Sequence, residues 1–112
     1  MDTTTKYRKI VKQVILKYAQ FSPSHGHIRL DTVFDEIQDR YLLMQAGWDN
    51  KHRISGDIIY VTLHNEKVYI EYDGIEHGIY DDLVSQGIPE EHIVLAFQYE
   101  TFDTGSDMFA FA

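Results

Sequence analysis

Residues 57–97, DIIYVTLHNEKVYIEYDGIEHGIYDDLVSQGIPEEHIVLAF, run through two amphipathic strands, a helix signal and a last apolar strand. If Asn65-Glu66 is a two-residue turn, Leu63 faces Val68, Val61 faces Ile70 and Ile59 faces Tyr72, so one face of the hairpin is wholly apolar. The other face pairs Thr62 with Tyr69, Tyr60 with Glu71 and His64 with Lys67, which suits a wetter side. A type I′ turn needs positive φ at both central residues, a demand that Asn65 meets more easily than Glu66. Beyond the hairpin, Asp73-Gly74-Ile75-Glu76 has the form of a capping box, with Asp73 at the N-cap of a second helix and Glu76 three residues on. Ile75, Ile79, Leu83 and Val84 give that helix a buried edge, and Gly87 supplies the left-handed residue that stops it. Pro89-Glu90-Glu91-His92 then reads as a single turn before a strand from Ile93 to Phe97.

Upstream, Tyr7, Ile10, Val11, Val14, Ile15 and Tyr18 recur at the spacing of one helical face, which predicts a helix from Thr4 to Phe21. Thr3, Thr4 or Thr5 is the expected cap, and Ser22-Pro23-Ser24 the stop. Two strands follow, about Ile28–Glu36 and Arg40–Trp48. A three-residue loop would pair Phe34 with Leu42, Thr32 with Met44, Leu30 with Ala46 and Ile28 with Trp48, and would set Glu36 opposite Arg40. The chain ends in Met108, Phe109 and Phe111, an apolar terminus expected to dock as a short strand or in a contact between subunits. The order α-β-β-β-β-α-β predicts one α+β domain: an antiparallel β-meander of four or more strands with two helices packed on one face.

At 112 residues, 44% hydrophobic and with eight Tyr and six Phe, the chain has the composition of a single folded domain. It has no cysteine, which excludes disulfides, thiolate chemistry and cysteine-based zinc sites, and which suits a reducing compartment. No signal-peptide core or membrane-length apolar run is present, so a cytoplasmic location is expected. The net charge of −8 is unevenly laid out. Lys6, Arg8, Lys9, Lys12 and Lys17 crowd the first helix, whereas no Lys or Arg follows Lys67 and acids continue from Glu71 to Asp107. Phosphate binding needs clustered cations, so this layout argues against direct, tight DNA binding.

Candidate chemistry is sparse. His25 and His27 project to one side of an extended segment and could share a cation with Asp31 or Asp35, but a polar loop is the simpler reading and no cofactor is expected. His64, Asp73, Glu76 and His77 combine imidazole with carboxylate, the material of general acid–base catalysis or of a small-ligand site. Capping accounts for Asp73 and Glu76 without chemistry. Asp81, Asp82, Glu90 and Glu91 read as solvated surface, and Trp48 as a core residue partly exposed at a sheet end, with a partner anchor as the less favoured alternative. There is no nucleophile elbow and no phosphate-cradling glycine loop.

Several segments together resemble one family. Tyr7-Arg8-Lys9-Ile10-Val11, Gly47-Trp48-Asp49, Arg53-Ile54-Ser55-Gly56, Val68-Tyr69-Ile70-Glu71-Tyr72-Asp73-Gly74-Ile75-Glu76, Gly87-Ile88-Pro89 and Ile93-Val94-Leu95-Ala96-Phe97 resemble the XisI family of cyanobacterial fdxN element excision controlling factors. The likeness spans nearly the whole chain. It departs at Asn65-Glu66-Lys67, where the family often has Asp-Gly-Lys, at Tyr69, where Trp is common, and at Ile75, where Thr often precedes the Glu. The resemblance implies a non-enzymatic regulator of site-specific DNA excision during heterocyst development, acting beside an XisH-type factor and the XisF recombinase. It brings no catalytic residues. On this reading the acid-rich part from Glu71 onward, with Asp81, Asp82, Glu90 and Glu91, is the expected surface for an XisH-type partner, and Phe109 and Phe111 are expected to serve self-association.

Overall fold

The computed structural model describes residues 2–21 and 26–98. Helix α1 (Thr3–Ala19) is followed by β1 (His27–Asp35), β2 (Arg40–Asp49), β3 (His52–His64), β4 (Lys67–Asp73), a short α2 (Tyr80–Ser85) and β5 (Ile93–Leu95). Single 3₁₀ turns, Glu90–His92 and Ala96–Gln98, flank β5. The strands form one sheet in the order β1-β2-β3-β4-β5. β1 to β4 are the expected antiparallel meander, but β5 pairs parallel to β4, Val68 with Ile93 and Ile70 with Leu95, so the sheet is mixed. The connection from Gly74 to His92 crosses over the helical face, and it returns the chain beside β4 in the same direction.

The helical stripe is buried as its spacing requires: Tyr7, Ile10, Val11, Val14, Ile15 and Tyr18 pack on Tyr41, Leu43, Ile59, Val61, Val68 and Ile70 from the sheet, with Ile79, Leu83 and Ile88 from the crossover. Both helices share this one core and lie on one face of the sheet. The cap of α1 is Asp2 rather than a threonine; its Oδ1 accepts from the Thr5 backbone N–H at 2.7 Å. The helix also stops at Ala19, two residues short of the expected end.

The two hairpins differ in how they meet expectation. In β3–β4 the Asn65-Glu66 turn holds φ of 51° and 60°, and Leu63 faces Val68 and Val61 faces Ile70 as read. A bulge between Tyr60 and Val61 then shifts the register, so that Ile59 meets Asp73 and Tyr60 meets Tyr72 instead of Glu71. In β1–β2 the loop has four residues, not three. The Asp35 carboxylate accepts from the Ile37 and Gln38 backbone N–H groups, closing an Asx turn, and Asp39 takes a left-handed φ of 56°. Asp35 therefore opposes Arg40 and Phe34 opposes Tyr41, one residue off the expected register. That slip turns β2 over: Tyr41 and Leu43 face the core, while Leu42 and Met44 face away.

The second helix is the other correction. Asp73 is not its N-cap, because α2 begins only at Tyr80, behind Ile79. Asp73 instead organises the loop before it, with Oδ1 accepting from Ile75 N–H at 3.1 Å and Oδ2 from Ile79 N–H at 2.8 Å. Gly87 does end the helix. At φ +116° it lets its own N–H reach Val84 O and that of Ile88 reach Leu83 O, the paired bonds of a Schellman stop.

Candidate functional site

Three polar clusters link α1 to its neighbours, two to the crossover segment and one to the sheet. At the C-terminal end of α1, the Tyr18 hydroxyl donates to Asp82 on α2 and lies 3.0 Å from His77 Nε2; Lys17 Nζ reaches Asp82 at 2.9 Å. Burial works to raise the Asp82 pKa, but the bonds from Tyr18 and Lys17 outweigh it and hold the carboxyl below its ordinary value. Tyr18 is pushed up to about 12, first by burial and then by donating to Asp82. These groups complete one another, and Asp82 is accordingly a structural latch between the helices.

Near the other end of α1, Arg8 makes a two-pronged contact with Asp39, at 2.7 and 3.1 Å, and the Tyr41 hydroxyl donates to the same carboxylate at 2.8 Å. Burial is again the largest influence on Asp39, yet its partners keep its pKa below the usual carboxylate range. Close by, the Tyr7 hydroxyl stands 2.6 Å from His92 Nδ1. A small cavity of about 250 Å³ opens here, lined by Tyr7, Asp39, His64, Glu66 and Lys67 among others. It falls below the ~300 Å³ at which ligand pockets usually begin.

The four residues read as an acid–base set do not converge. His64 lies at the hairpin end of β3 beside this cavity, whereas Asp73 lies at the far end of β4, about 20 Å away at ~3.3 Å per residue. Asp73 is occupied by the loop N–H groups, Glu76 is exposed, and His77 sits against Tyr18. A joint catalytic or ligand site of His64, Asp73, Glu76 and His77 is not formed. Among the described residues, no three His, Asp or Glu side chains are grouped so as to hold a metal ion, and no helix is long and apolar enough to cross a membrane. His25 lies outside the described residues, as do Phe109 and Phe111.

The acidic candidates divide. Asp82 is the latch just described, but Asp81, Glu90 and Glu91 are exposed. Their charges all act on Tyr80, whose pKa is raised first by burial and then by Glu90, Asp81 and Glu91. Trp48, expected to be core and partly exposed at a sheet end, lies outside the core at 50% exposure, with the Arg53 guanidinium 5.5 Å from its ring. It sits near the tip of the long β2–β3 hairpin, which runs past the end of β4. The roles of Arg8, Asp39 and Tyr41 carried no sequence signal, because they meet through a loop whose length the alternation pattern did not reveal.

The arrangement has known counterparts. The model of the XisI protein family matches residues 1–110. The chain belongs to the XisI family. Its fold is similar to that of the fdxN element excision controlling factor XisI from Anabaena variabilis ATCC 29413, at 35% identity and a TM-score of 0.73, over 88% of this chain and 96% of that one. A XisI-like protein from the same organism superposes with a TM-score of 0.80 at 26% identity, over 86% of this chain and 88% of its own. No curated protein sequence matches the chain significantly. The XisI fold is thus the α+β arrangement seen here, an N-terminal helix and a short second helix on a five-stranded mixed sheet.

Proposed function

We propose that this XisI-family chain controls excision of an fdxN-type DNA element by binding a partner protein, and not by catalysis. Family membership and the 35% identity to an fdxN element excision controlling factor support the first half of this reading. The observation that carries the second half is the set of exposed acids Asp81, Glu90 and Glu91, whose charges all act on Tyr80, in a segment that holds no Lys or Arg. A concentrated negative patch repels DNA and steers a basic protein surface, such as one on an XisH-type factor.

Co-purification with a XisH-type protein, at low and at high salt, tests the reading. A complex that forms at low salt, weakens as salt rises, and is lost in the triple variant Asp81→Lys, Glu90→Lys, Glu91→Lys would support it. No complex at low salt would sink it. Asp82 is left out of the triple variant because its carboxylate holds α1 to α2.

A further inference from the structure

The helices cover one face of the sheet, and the opposite face carries an apolar row of its own. Register places Val33 beside Leu42, Leu42 beside Tyr60 and Tyr60 beside Tyr72, one residue from each of four successive strands. Tyr69 and Val94 extend it to β5, where they pack with Ala96. Val33 is 47% exposed and Tyr72 46%, values that would be costly to leave in water on a row of such length. Among the described residues only the single 3₁₀ turn Ala96–Gln98 packs on this face, over Tyr69, which is 2% exposed; neither α1 nor α2 covers the row from Val33 to Tyr72.

We propose that this open face is where two copies of the chain meet, sheet against sheet about a two-fold axis. Charge selects the occupant. Arg29, Arg40, Arg53 and Lys67 hold outward register positions, and Asp31, Asp35, Asp57 and Glu71 hold outward positions among them, so the face is neutral on a molecule of net charge −8. Two such acidic molecules repel through most of their surfaces and can approach through a neutral one. A strongly basic or acidic partner gains nothing there, whereas mixed signs around an apolar centre can match themselves across a two-fold axis. Aligned sheets meeting at about 10 Å would bury the row from both sides.

This inference is independent of the partner-binding reading, because it uses the opposite face from α2. The test is the solution mass of the full chain by light scattering and sedimentation equilibrium, from micromolar to submillimolar concentration. Wild type should have twice the 13.1 kDa chain mass. Val33→Glu with Tyr72→Glu should weaken the dimer by at least about 100-fold while leaving the far-ultraviolet spectrum and melting temperature of the monomer intact, since both side chains are half exposed. Asp81→Lys with Glu90→Lys should leave the mass unchanged. A wild-type monomer at submillimolar concentration would overturn the proposal, whether residues 99–112 or some other protein covers the face. So would a dimer indifferent to the double substitution.

Discussion

Each face of this sheet carries an apolar row, but only the helical one is enclosed along its whole length, the other being covered just at Tyr69 and Thr62. On the helical face, Tyr41, Leu43, Ile59, Val61, Val68 and Ile70 are each buried to within 1% under α1 and the crossover segment. On the other face, Val33 and Tyr72 remain nearly half exposed, and Leu42 and Tyr60 lie between these extremes. Chemically similar residues thus do different work according to what lies above them. The covered face supplies folding free energy, whereas the open face holds apolar area available to a binding event.

The largest expected effect sets the two against each other within β1–β2. Leu43→Ala removes a fully enclosed side chain from the core shared with α1 and should cost about 2–5 kcal/mol in urea unfolding. Val33→Ala, in a strand one hydrogen-bond spacing away, should change monomer stability by less than about 0.5 kcal/mol. Equal losses in the two variants would mean that the open face is part of the folding core and would remove the distinction.

Alkaline pH probes the covered face alone. Tyr7, Tyr18 and Tyr41 all have raised pKa values, burial being the first cause in each. For Tyr18 the rise is from 10.0 to about 12, so the folded state holds its phenolic proton where the unfolded chain has lost it. The associated stability is fully present below about pH 10 and is lost as pH climbs through about 12. Unfolding free energy should therefore fall steeply above pH 10, and Tyr18→Phe should flatten part of that slope while costing about 1 kcal/mol at neutral pH for the lost bond to Asp82. An unchanged slope in Tyr18→Phe would show that this hydroxyl does not govern the alkaline limb.

The same contrast explains what could be read from the sequence. The β3–β4 hairpin was legible around its turn because Leu63, Val61, Val68 and Ile70 alternate with polar residues, so one register buried a clean face. In β2, Tyr41-Leu42-Leu43-Met44 is apolar on both faces, and a pattern without contrast cannot choose between registers one residue apart. The Asx turn at Asp35 decided it, through bonds from backbone N–H groups to the Asp35 carboxylate that leave no mark on hydropathy. The parallel pairing of β5 was also hidden, since a three-residue strand carries no directional signal and only the crossover path fixes its sense. Asp73 was read as the N-cap of the second helix, yet its carboxylate organises the loop before it, because the Gly78 N–H bonds back to Ile75 O and delays the helix. The clusters around Asp82 and Asp39 depend on side chains 31 to 65 residues apart, beyond the reach of local spacing. Trp48 was read as a core residue partly exposed at a sheet end; the register puts it on the open face, half exposed.

The smallest effect should be a gain, at a position belonging to neither face. Glu66 holds φ +60° in a two-residue turn, a conformation in which its Cβ crowds the backbone. Glu66→Gly removes that crowding, and although the unfolded chain gains freedom, the net change should stabilise the protein by about 0.5–1 kcal/mol. It also removes a carboxylate whose charge helps raise the Tyr7 pKa, so the Tyr7 titration should move down toward its ordinary value of 10.0 while burial still holds it above. Urea unfolding measures the first change and ultraviolet titration of phenolate the second. A turn substitution of this kind leaves both sheet faces intact, so the solution mass must stay that of wild type. A gain in stability accompanied by loss of the dimer would mean that the hairpin tip, and not the open apolar row, makes the contact between copies.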